Sequence, residues 1–463
     1  MTEERDRSVV LFVVFPGVAM LLGWGLRGYI GGGPYGAMIP GCFVALTICL
    51  LLDYKMETAA MAALFGAIGI GMGGNMTYGQ TLGFLHEPET LGWGVLGCTV
   101  KGGVWGLLGG ALLGVGLSRD RYSRKDVIIG LLLMVAAFHL GRELINEPKL
   151  IYFSNLEDRP RDESWAGMLF GAITLLAYLR LKADAAAFRV PLKLALFGGL
   201  GGAIGFGGGC LFLAFGPPIK WIGWWKMMEF TFGLIFGAAL GLGAYTVREE
   251  LKHSGQNGEM PPPAWKPVIL LVGLILGVFS SYAVLSLLLP EDFLRSDSMF
   301  AFITRKGIGM ALSYAFIGAL VLIIGLHSLH AAWQAAITLT FFHTVLDYTR
   351  DLDEVKNFGF VCSAPVQWLV NLTLALLLGF WVYKIQAGSK PVLRLLLLAV
   401  WACFAAACAR SFLNLNFFNA PEGLSYMEAL MRAHPAMPFV HGTFTVSAVI
   451  TTYFAMVLSK KDL

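Results

Sequence analysis

Charged residues are scarce in this sequence. Only 14% of its 463 residues are Asp, Glu, Lys or Arg, whereas an average soluble domain carries about 25%. Residues of the apolar types account for 57% of the chain, and 57 further residues are glycine. No soluble globule could bury so much apolar surface, which excludes a cytosolic enzyme, a coiled coil and a disordered chain. The chain must therefore use lipid as its solvent, and the lipid bilayer is its first partner.

Signals for several other classes of protein are also missing. A net charge of +4 from 34 basic and 30 acidic residues makes no polycation, so we expect no nucleic-acid partner. The seven cysteines lie in or beside apolar runs without a CxxC spacing, which favours core residues over disulfides or metal ligands. No phosphate-binding loop or HExxH motif occurs. We therefore expect no cofactor and no metal, and the first apolar run lacks an obvious cleavage site and should be retained.

Long apolar runs fill most of the chain. A helix needs about 20 mostly apolar residues to cross the hydrocarbon layer, and only closed structures satisfy the backbone there. The sequence therefore predicts an all-α fold, a polytopic (multi-pass) membrane helix bundle with about 14 transmembrane helices. The predicted spans are 8–27, 34–53, 58–78, 92–117, 126–145, 164–181, 191–215, 221–246, 267–289, 307–326, 330–348, 363–384, 391–411 and 437–459.

The distribution of Lys and Arg between the loops predicts the orientation. The loops at 119–125 and 180–193 are the clearest basic ones, and both fall on the same side as the N-terminus. Basic loops stay in the cytoplasm. We therefore expect a multi-pass protein of the plasma (cytoplasmic, inner) membrane with both termini in the cytoplasm.

Three pairs of segments suggest an internal repeat. GAIGIG at 66–71 matches GAIGFG at 202–207, and GLLGGALLGVG at 106–116 matches GLIFGAALGLG at 233–243. YGAMIPG at 35–41 also aligns with WAGMLFG at 165–171. The matches keep the same order, which favours duplication of a four-span unit over chance similarity between Gly-rich runs. Because the unit has an even number of spans, the two tandem four-helix repeats should be parallel.

Glycine also divides the chain, since 44 of the 57 glycines lie within 1–250. A polar stretch containing three consecutive prolines follows this Gly-rich part, as expected of an extended linker. These features predict four parts: a first four-span Gly-rich repeat (1–124), a second four-span repeat (125–247), a polar Pro-rich linker (248–266) and a six-span C-terminal membrane module (267–463).

Two predicted spans carry glycines at every fourth position, a glycine-zipper pattern. They are Gly102, Gly106, Gly110 and Gly114 in the fourth span, and Gly233, Gly237 and Gly241 in the eighth. Residues four apart share a helix face, and small side chains let helix backbones approach closely in lipid. The pattern predicts tight packing within the chain. A homo-oligomer interface through the Gly-rich faces, or a surface that slides during transport, is the alternative.

Polar side chains inside the predicted spans are the best candidates for function. A charge at the bilayer centre costs about 2.5–3.5 kcal/mol on insertion scales and usually faces a cavity or a partner. We predict that the substrate-binding residues are Arg27, Lys101, Arg142, Lys226, Glu229 and Asn75. The alternatives are a structural ion pair for Lys101 and for Lys226 with Glu229, and snorkelling at a helix end for Arg27 and Arg142.

The C-terminal module has its own candidate pair. His343 and Asp347 are four residues apart in the predicted eleventh span and could form a proton relay. Ordinary polar packing is the alternative. A metal would need a third ligand from another span, such as His441.

Duplication, intramembrane charges and Gly-rich helices favour a secondary-type transporter that moves a small polar or anionic solute between the repeats. Two other classes stay open. One is a membrane-embedded enzyme acting on a lipid-linked or glycan substrate with His343, Asp347, His441 and Glu428. The other is a non-catalytic membrane subunit that docks a partner through its glycine faces. A transporter rather than an enzyme is the expectation.

Overall fold

The computed structural model describes residues 8–30, 32–76, 78–155, 161–254, 299–341, 364–413 and 434–460, with a few single residues between these ranges. In these ranges the protein is all-helical and contains no strand. Nine of the described helical segments are long and apolar enough to cross a membrane. The protein therefore has the architecture of a multi-pass membrane helix bundle.

The helices of the N-terminal half are numbered in chain order. They are α1 (Val9–Ile30), α2 (Gly33–Leu51), α3 (Met56–Met72), α4 (Gly79–Gly83), α5 (Leu91–Leu117), α6 (Arg124–Gly141), α7 (Trp165–Lys182), α8 (Ala185–Gly209), α9 (Leu211–Phe215), α10 (Trp224–Thr246) and α11 (Arg248–Ser254). A 3₁₀ turn at Gly73–Asn75 extends α3, and a π-helical segment at Arg142–Asn146 extends α6.

The C-terminal half continues the numbering. Its helices are α12 (Met299–Leu312), α13 (Tyr314–Gly325), α14 (Leu329–Trp333), α15 (Ala364–Gln386), α16 (Pro391–Leu413) and α17 (Met437–Ser459). The predicted span 307–326 is split, because the Ser313 side chain accepts a hydrogen bond from the Phe316 amide and caps the start of α13. The predicted span 267–289 lies outside the described residues.

Six helices of the N-terminal half form a closed ring. Around the ring each helix packs on the next in the order α1, α2, α3, α5, α8 and α10, and α10 returns to α1. The antiparallel pair α6 and α7 lies outside this ring against α5 and α13. Helices α16 and α17 pack on the other side, against α1 and α2. The ring is therefore the central element of the described structure.

Glycine allows the closest contacts in the ring. Gly106 of α5 lies against the Gly198 carbonyl of α8, so a Cβ at either position would overlap the other helix. Where α10 meets α1, Gly237 and Gly241 of α10 lie against the carbonyls of Pro16 and Phe12 in α1. Because side chains are missing at these crossings, the helix backbones touch directly.

Aromatic side chains fill the interior of the ring. Trp24 of α1 contacts Trp105 of α5 with ring centroids 4.9 Å apart and Phe232 of α10 at 4.3 Å. Phe232 also stacks on Phe206 of α8 at 5.1 Å and on Phe236 at 5.6 Å. All five rings are buried. They form what we call the aromatic plug: Trp24, Trp105, Phe206, Phe232 and Phe236.

Candidate solute site

Arg27 lies directly above the aromatic plug, in the last turn of α1. Residues three apart share a helix face, which places its side chain on the same side of α1 as Trp24. The residue is only 3% exposed. Its guanidinium carbon lies 5.7 Å from the Trp24 ring centroid, 5.7 Å from that of Trp105 and 5.5 Å from that of Tyr78. Three aromatic rings thus surround a buried cation.

The hydrogen bonds of Arg27 use only part of its capacity. Nη1 donates to the Tyr78 hydroxyl at 2.7 Å, and Nη2 donates to the Gly33 carbonyl at 3.5 Å. Nε is buried and has no acceptor within the described structure. No carboxylate of the described residues lies within ion-pair distance of Arg27, although burying an unpaired charge is costly. The guanidinium therefore offers an unused binding edge.

The neighbouring residues hold this arrangement in place. The Trp105 indole nitrogen donates to the Ile70 carbonyl at 2.6 Å, which fixes the ring against the end of α3. Gly73 leaves room for that indole, since a Cβ there would overlap it. Gly33 has a φ of +69°, a conformation that glycine adopts without strain, where the chain enters α2. These contacts explain why Gly-rich turns border the arginine.

Lys226 and Glu229 form an ion pair beside Arg27. They are three residues apart on α10, and their side chains are 13% and 2% exposed. Lys226 Nζ also donates to the Gly25 carbonyl of α1 at 3.2 Å, and the Trp225 indole nitrogen donates to Glu229 Oε1 at 3.2 Å. The pair therefore joins the start of α10 to the end of α1.

This ion pair lies against Gly28, the residue that follows Arg27 in α1. A Cβ at Gly28 would overlap Lys226 Nζ and would lie 3.1 Å from Glu229 Oε2. The structure thus places Lys226 and Glu229 against Gly28, so Arg27, Lys226 and Glu229, three of the predicted substrate-binding residues, lie at the same end of the ring. We call these three residues the charged cluster. Its two cations and one carboxylate leave one positive charge uncompensated, which suits an anion.

Lys101 lies in a separate, complete ion pair. Its Nζ contacts Glu163 Oε1 at 2.7 Å and donates to the Thr81 hydroxyl at 2.7 Å. Glu163 also accepts from the Ser154 hydroxyl at 2.9 Å and from the Phe153 amide at 3.2 Å. The two charged side chains are 1% and 0% exposed. The pair joins α5 to the charged loop before α7, and a substrate contact for Lys101 stays a prediction.

Arg142 does not contact the charged cluster. It lies in the π-helical segment after α6, with Nη2 2.7 Å from Glu147 and 3.5 Å from Asp162. Its side chain is 27% exposed. Arg142 is partly exposed and has two carboxylate partners, whereas Arg27 is buried and has none among the described residues; Nε lacks an acceptor in both.

Asn75 ends the 3₁₀ turn after α3. Its Nδ2 donates to the Met72 carbonyl at 3.1 Å, and the residue is partly exposed. The contact closes the helix end. Asn75 therefore makes a local contact at the end of α3, and its described hydrogen bond does not involve Arg27.

Of the four residues proposed for an enzyme, the structure describes His441 and Glu428. His343 and Asp347 lie outside the described residues. His441 lies 3.7 Å from the Cys408 Sγ through its Nδ1 and packs edge-on against Tyr29. Hydrogen bonds from Ser425 lower the pKa of the exposed Glu428, the opposite of what a general acid needs. Within the described part of the chain, no group of His, Cys, Asp or Glu could hold a metal.

Several residues of the site escape sequence reasoning. Glu163 belongs to a loop rich in both charges, and nothing in the loop marks it as the buried member. The aromatic plug is equally hidden, since Phe206 and Phe232 are distant in sequence from Trp105 and Arg27. One local signal was available: Trp24 precedes Arg27 by three residues, so both face the same way.

No protein-family model, curated protein or solved structure matches this chain.

Proposed function

We propose that the protein is a secondary-type transporter that moves a small polar or anionic solute through the charged cluster. The observation that carries the proposal is Arg27, a buried guanidinium inside a helix ring with no carboxylate partner among the described residues. Intramembrane charges of this kind are rare and typically mark solute or ion pathways. A cation needed only for packing would be expected to have a counter-ion.

The surroundings of Arg27 are those of an occluded site. The aromatic plug closes the ring on the side of Trp24, and Tyr78 covers the guanidinium from the other side. A solute reaches Arg27 only when one of these barriers moves. Tyr78 lies between the 3₁₀ turn at Gly73–Asn75 and the short helix α4, and Gly79 and Gly83 have open space around them. This segment is the candidate for the moving barrier on the outer side.

The proposal includes the two tandem four-span repeats and the count of about 14 spans. Each predicted third span packs on the fourth span of its own repeat, α3 on α5 and α8 on α10. Each predicted first span packs on its second, α1 on α2 and α6 on α7. These equivalent pairings support duplication, although the second and third spans pack closely only in the first repeat, α2 on α3. The solute site then lies where α1 and α5 of the first repeat meet α8 and α10 of the second.

In this mechanism Lys101 positions the site without contacting the solute. It binds Thr81, three residues after Tyr78, and it lies one turn before Trp105 on α5. The Lys101–Glu163 pair thereby connects the predicted outer loop before α7 to Tyr78 and Trp105, whose rings lie against Arg27. Glu229 holds Lys226 at the same end of the ring.

The test is uptake into proteoliposomes that contain the full chain. Radiolabelled acetate, phosphate, sulfate and glycine are supplied outside, and vesicles without protein give the background. We expect uptake of at least one of these solutes, reduced about tenfold or more in Arg27→Lys and Glu229→Gln, because charge-assisted hydrogen bonds are lost. Arg189→Lys, at an exposed ion pair with Glu250, is the matched control.

Two results contradict the proposal. One is the absence of uptake above background for every solute by folded wild-type protein. The other is uptake at the wild-type rate by both Arg27→Lys and Glu229→Gln. Thermal unfolding of each purified variant confirms that the compared proteins are folded.

A further inference from the structure

The unused edge of Arg27 has a specific shape. In a guanidinium group the Nε–H bond and one Nη2–H bond point in the same direction, forming a two-pronged donor. Tyr78 occupies Nη1, on the other side of the group. Nε has no acceptor among the described residues, and the contact from Nη2 to Gly33 is long at 3.5 Å. On the edge that binds two oxygens side by side, Nε is therefore unpartnered and Nη2 has only this long contact; we call this the free edge.

The charge of the surroundings restricts the ligand further. Arg27, Lys226 and Glu229 together carry one uncompensated positive charge. The walls nearest the guanidinium are the rings of Trp24, Tyr78 and Trp105. Desolvation of an ion is costly and grows steeply with its charge, so a doubly charged oxyanion is poorly matched to aromatic walls and a single positive charge. A planar group with one negative charge fits both the single positive charge and the aromatic walls.

The aromatic rings favour a ligand with an apolar part. The three rings give the guanidinium cation–π stabilisation, but they neutralise none of its charge. A negative ligand group supplies the missing compensation. Phe206 contacts Tyr78 edge-on with centroids 5.5 Å apart, which extends the apolar wall beyond the guanidinium. A short hydrocarbon tail would lie against this wall.

From these features we infer that the site binds a small monocarboxylate, with its two oxygens on Nε and Nη2 of Arg27 and its apolar tail against the aromatic rings. This inference rests on the proposed function for the location of the site and narrows its substrate class. The bound carboxylate supplies the partner that the buried guanidinium otherwise lacks.

The test is equilibrium binding to the purified full chain in detergent, measured by isothermal titration calorimetry at constant ionic strength. The probes are sodium acetate, sodium butyrate, acetamide, sodium sulfate and sodium phosphate. We expect saturable binding of acetate and butyrate, with butyrate bound more tightly. Acetamide, the neutral isostere of acetate, should bind at least about tenfold more weakly because it lacks the charge-assisted hydrogen bonds.

Variants separate the two-pronged contact from charge alone. Arg27→Lys keeps the positive charge and loses the planar fork, so acetate binding should weaken by about tenfold or more. Arg189→Lys is again the control for a generic Arg-to-Lys change.

Three outcomes overturn the inference: sulfate or phosphate bound more tightly than acetate, acetamide bound as tightly as acetate, or wild-type acetate affinity in Arg27→Lys. The comparison of wild-type protein with different probes holds even if Arg27→Lys does not fold. Failure of the transport proposal is distinguishable, because it appears as saturable acetate binding without acetate uptake into proteoliposomes. Uptake of sulfate but not acetate would instead preserve transport and reject the monocarboxylate.

Discussion

At the scale of single residues, the buried charged side chains have three kinds of surroundings. Lys101 and Glu163 satisfy each other and are further bonded by neighbouring groups. Lys226 and Glu229 form a pair that also ties α10 to the Gly25 carbonyl. Arg27 alone of these has aromatic rings and a hydroxyl in place of a carboxylate. Burying a guanidinium without a carboxylate partner costs free energy, and this cost is the main reason to propose that Arg27 binds a ligand.

Breaking the pair on α10 should destabilise the protein more than removing it. Glu229→Gln leaves the ammonium of Lys226 largely buried without its counter-ion, and such losses cost about 3–5 kcal/mol. The double variant Lys226→Met with Glu229→Gln removes both charges and should regain much of that stability. The measurement is the thermal unfolding midpoint in detergent. A single variant as stable as the wild type would show that the pair is not closed as the structure describes.

A second prediction concerns the Lys101–Glu163 pair, and proteolysis of the loop before α7 tests it. Lys101→Met leaves the fully buried Glu163 carboxylate without its cation and should release the loop, so trypsin should cleave after Arg161 faster than in wild type. The control is Lys306→Met, which removes an ion pair to Glu143. The two side chains of that pair are 36% and 45% exposed. Exposed pairs contribute about 0–1 kcal/mol, so its cleavage should stay near the wild-type rate. Equal cleavage in the two variants would contradict a structural role for Lys101.

At the scale of secondary-structure elements, glycine sets how closely the ring helices approach. The contact between α5 and α8 is made by backbone atoms at Gly106 and Gly198 and again at Gly102 and Gly202. Gly103 lies on the same helix, yet a Cβ there would meet Ala203 at 3.4 Å, an ordinary contact distance. The every-fourth spacing in the sequence therefore distinguishes the glycines at the closest contacts of the crossing from Gly103, which lies at its margin.

These neighbours form a matched pair of substitutions. Gly106→Ala should lower the thermal unfolding midpoint, because its Cβ overlaps the Gly198 carbonyl and forces α5 and α8 apart. Gly103→Ala should leave the midpoint unchanged or raise it, since alanine favours a helix by about 1 kcal/mol relative to glycine. If both substitutions shifted the midpoint equally, the backbone contact at Gly106 would not determine how closely α5 and α8 pack.

At the scale of the whole molecule, the sequence predicts what depends on local composition. Helices occur at the predicted spans from 8–27 through 221–246, because an apolar run of membrane length has no other way to satisfy its backbone in lipid. It also predicts Arg27, Lys226 and Glu229 as candidates, although their assembly depends on α1 meeting α10. The partner of Lys101 could not be predicted, since any acidic residue of the outer loops was equally available.

The ring itself is the least predictable feature. Which of the apolar helices meet depends on complementary surfaces far apart in sequence, such as Pro16 of α1 against Gly237 of α10. The aromatic plug follows from that assembly, so neither could be read from one helix alone. The pairing of repeats and the number of spans stay predictions.

The predicted orientation can be checked with single cysteines. Lys220 lies in the exposed turn before α10, on the predicted outer side, and Lys182 lies at the exposed end of α7, on the predicted inner side. A membrane-impermeant maleimide added to intact cells should label Lys220→Cys above the wild-type background and should not label Lys182→Cys until the cells are opened. The reverse pattern would invert the topology.

The central claim is that the free edge of Arg27 receives a solute. The most direct measurement is an experimental density map of the purified protein saturated with butyrate. The account predicts density for a carboxylate within hydrogen-bonding distance of both Nε and Nη2 of Arg27, about 2.7–2.9 Å from each nitrogen. Density showing a carboxylate of the protein itself on that edge, with no bound butyrate, would contradict it.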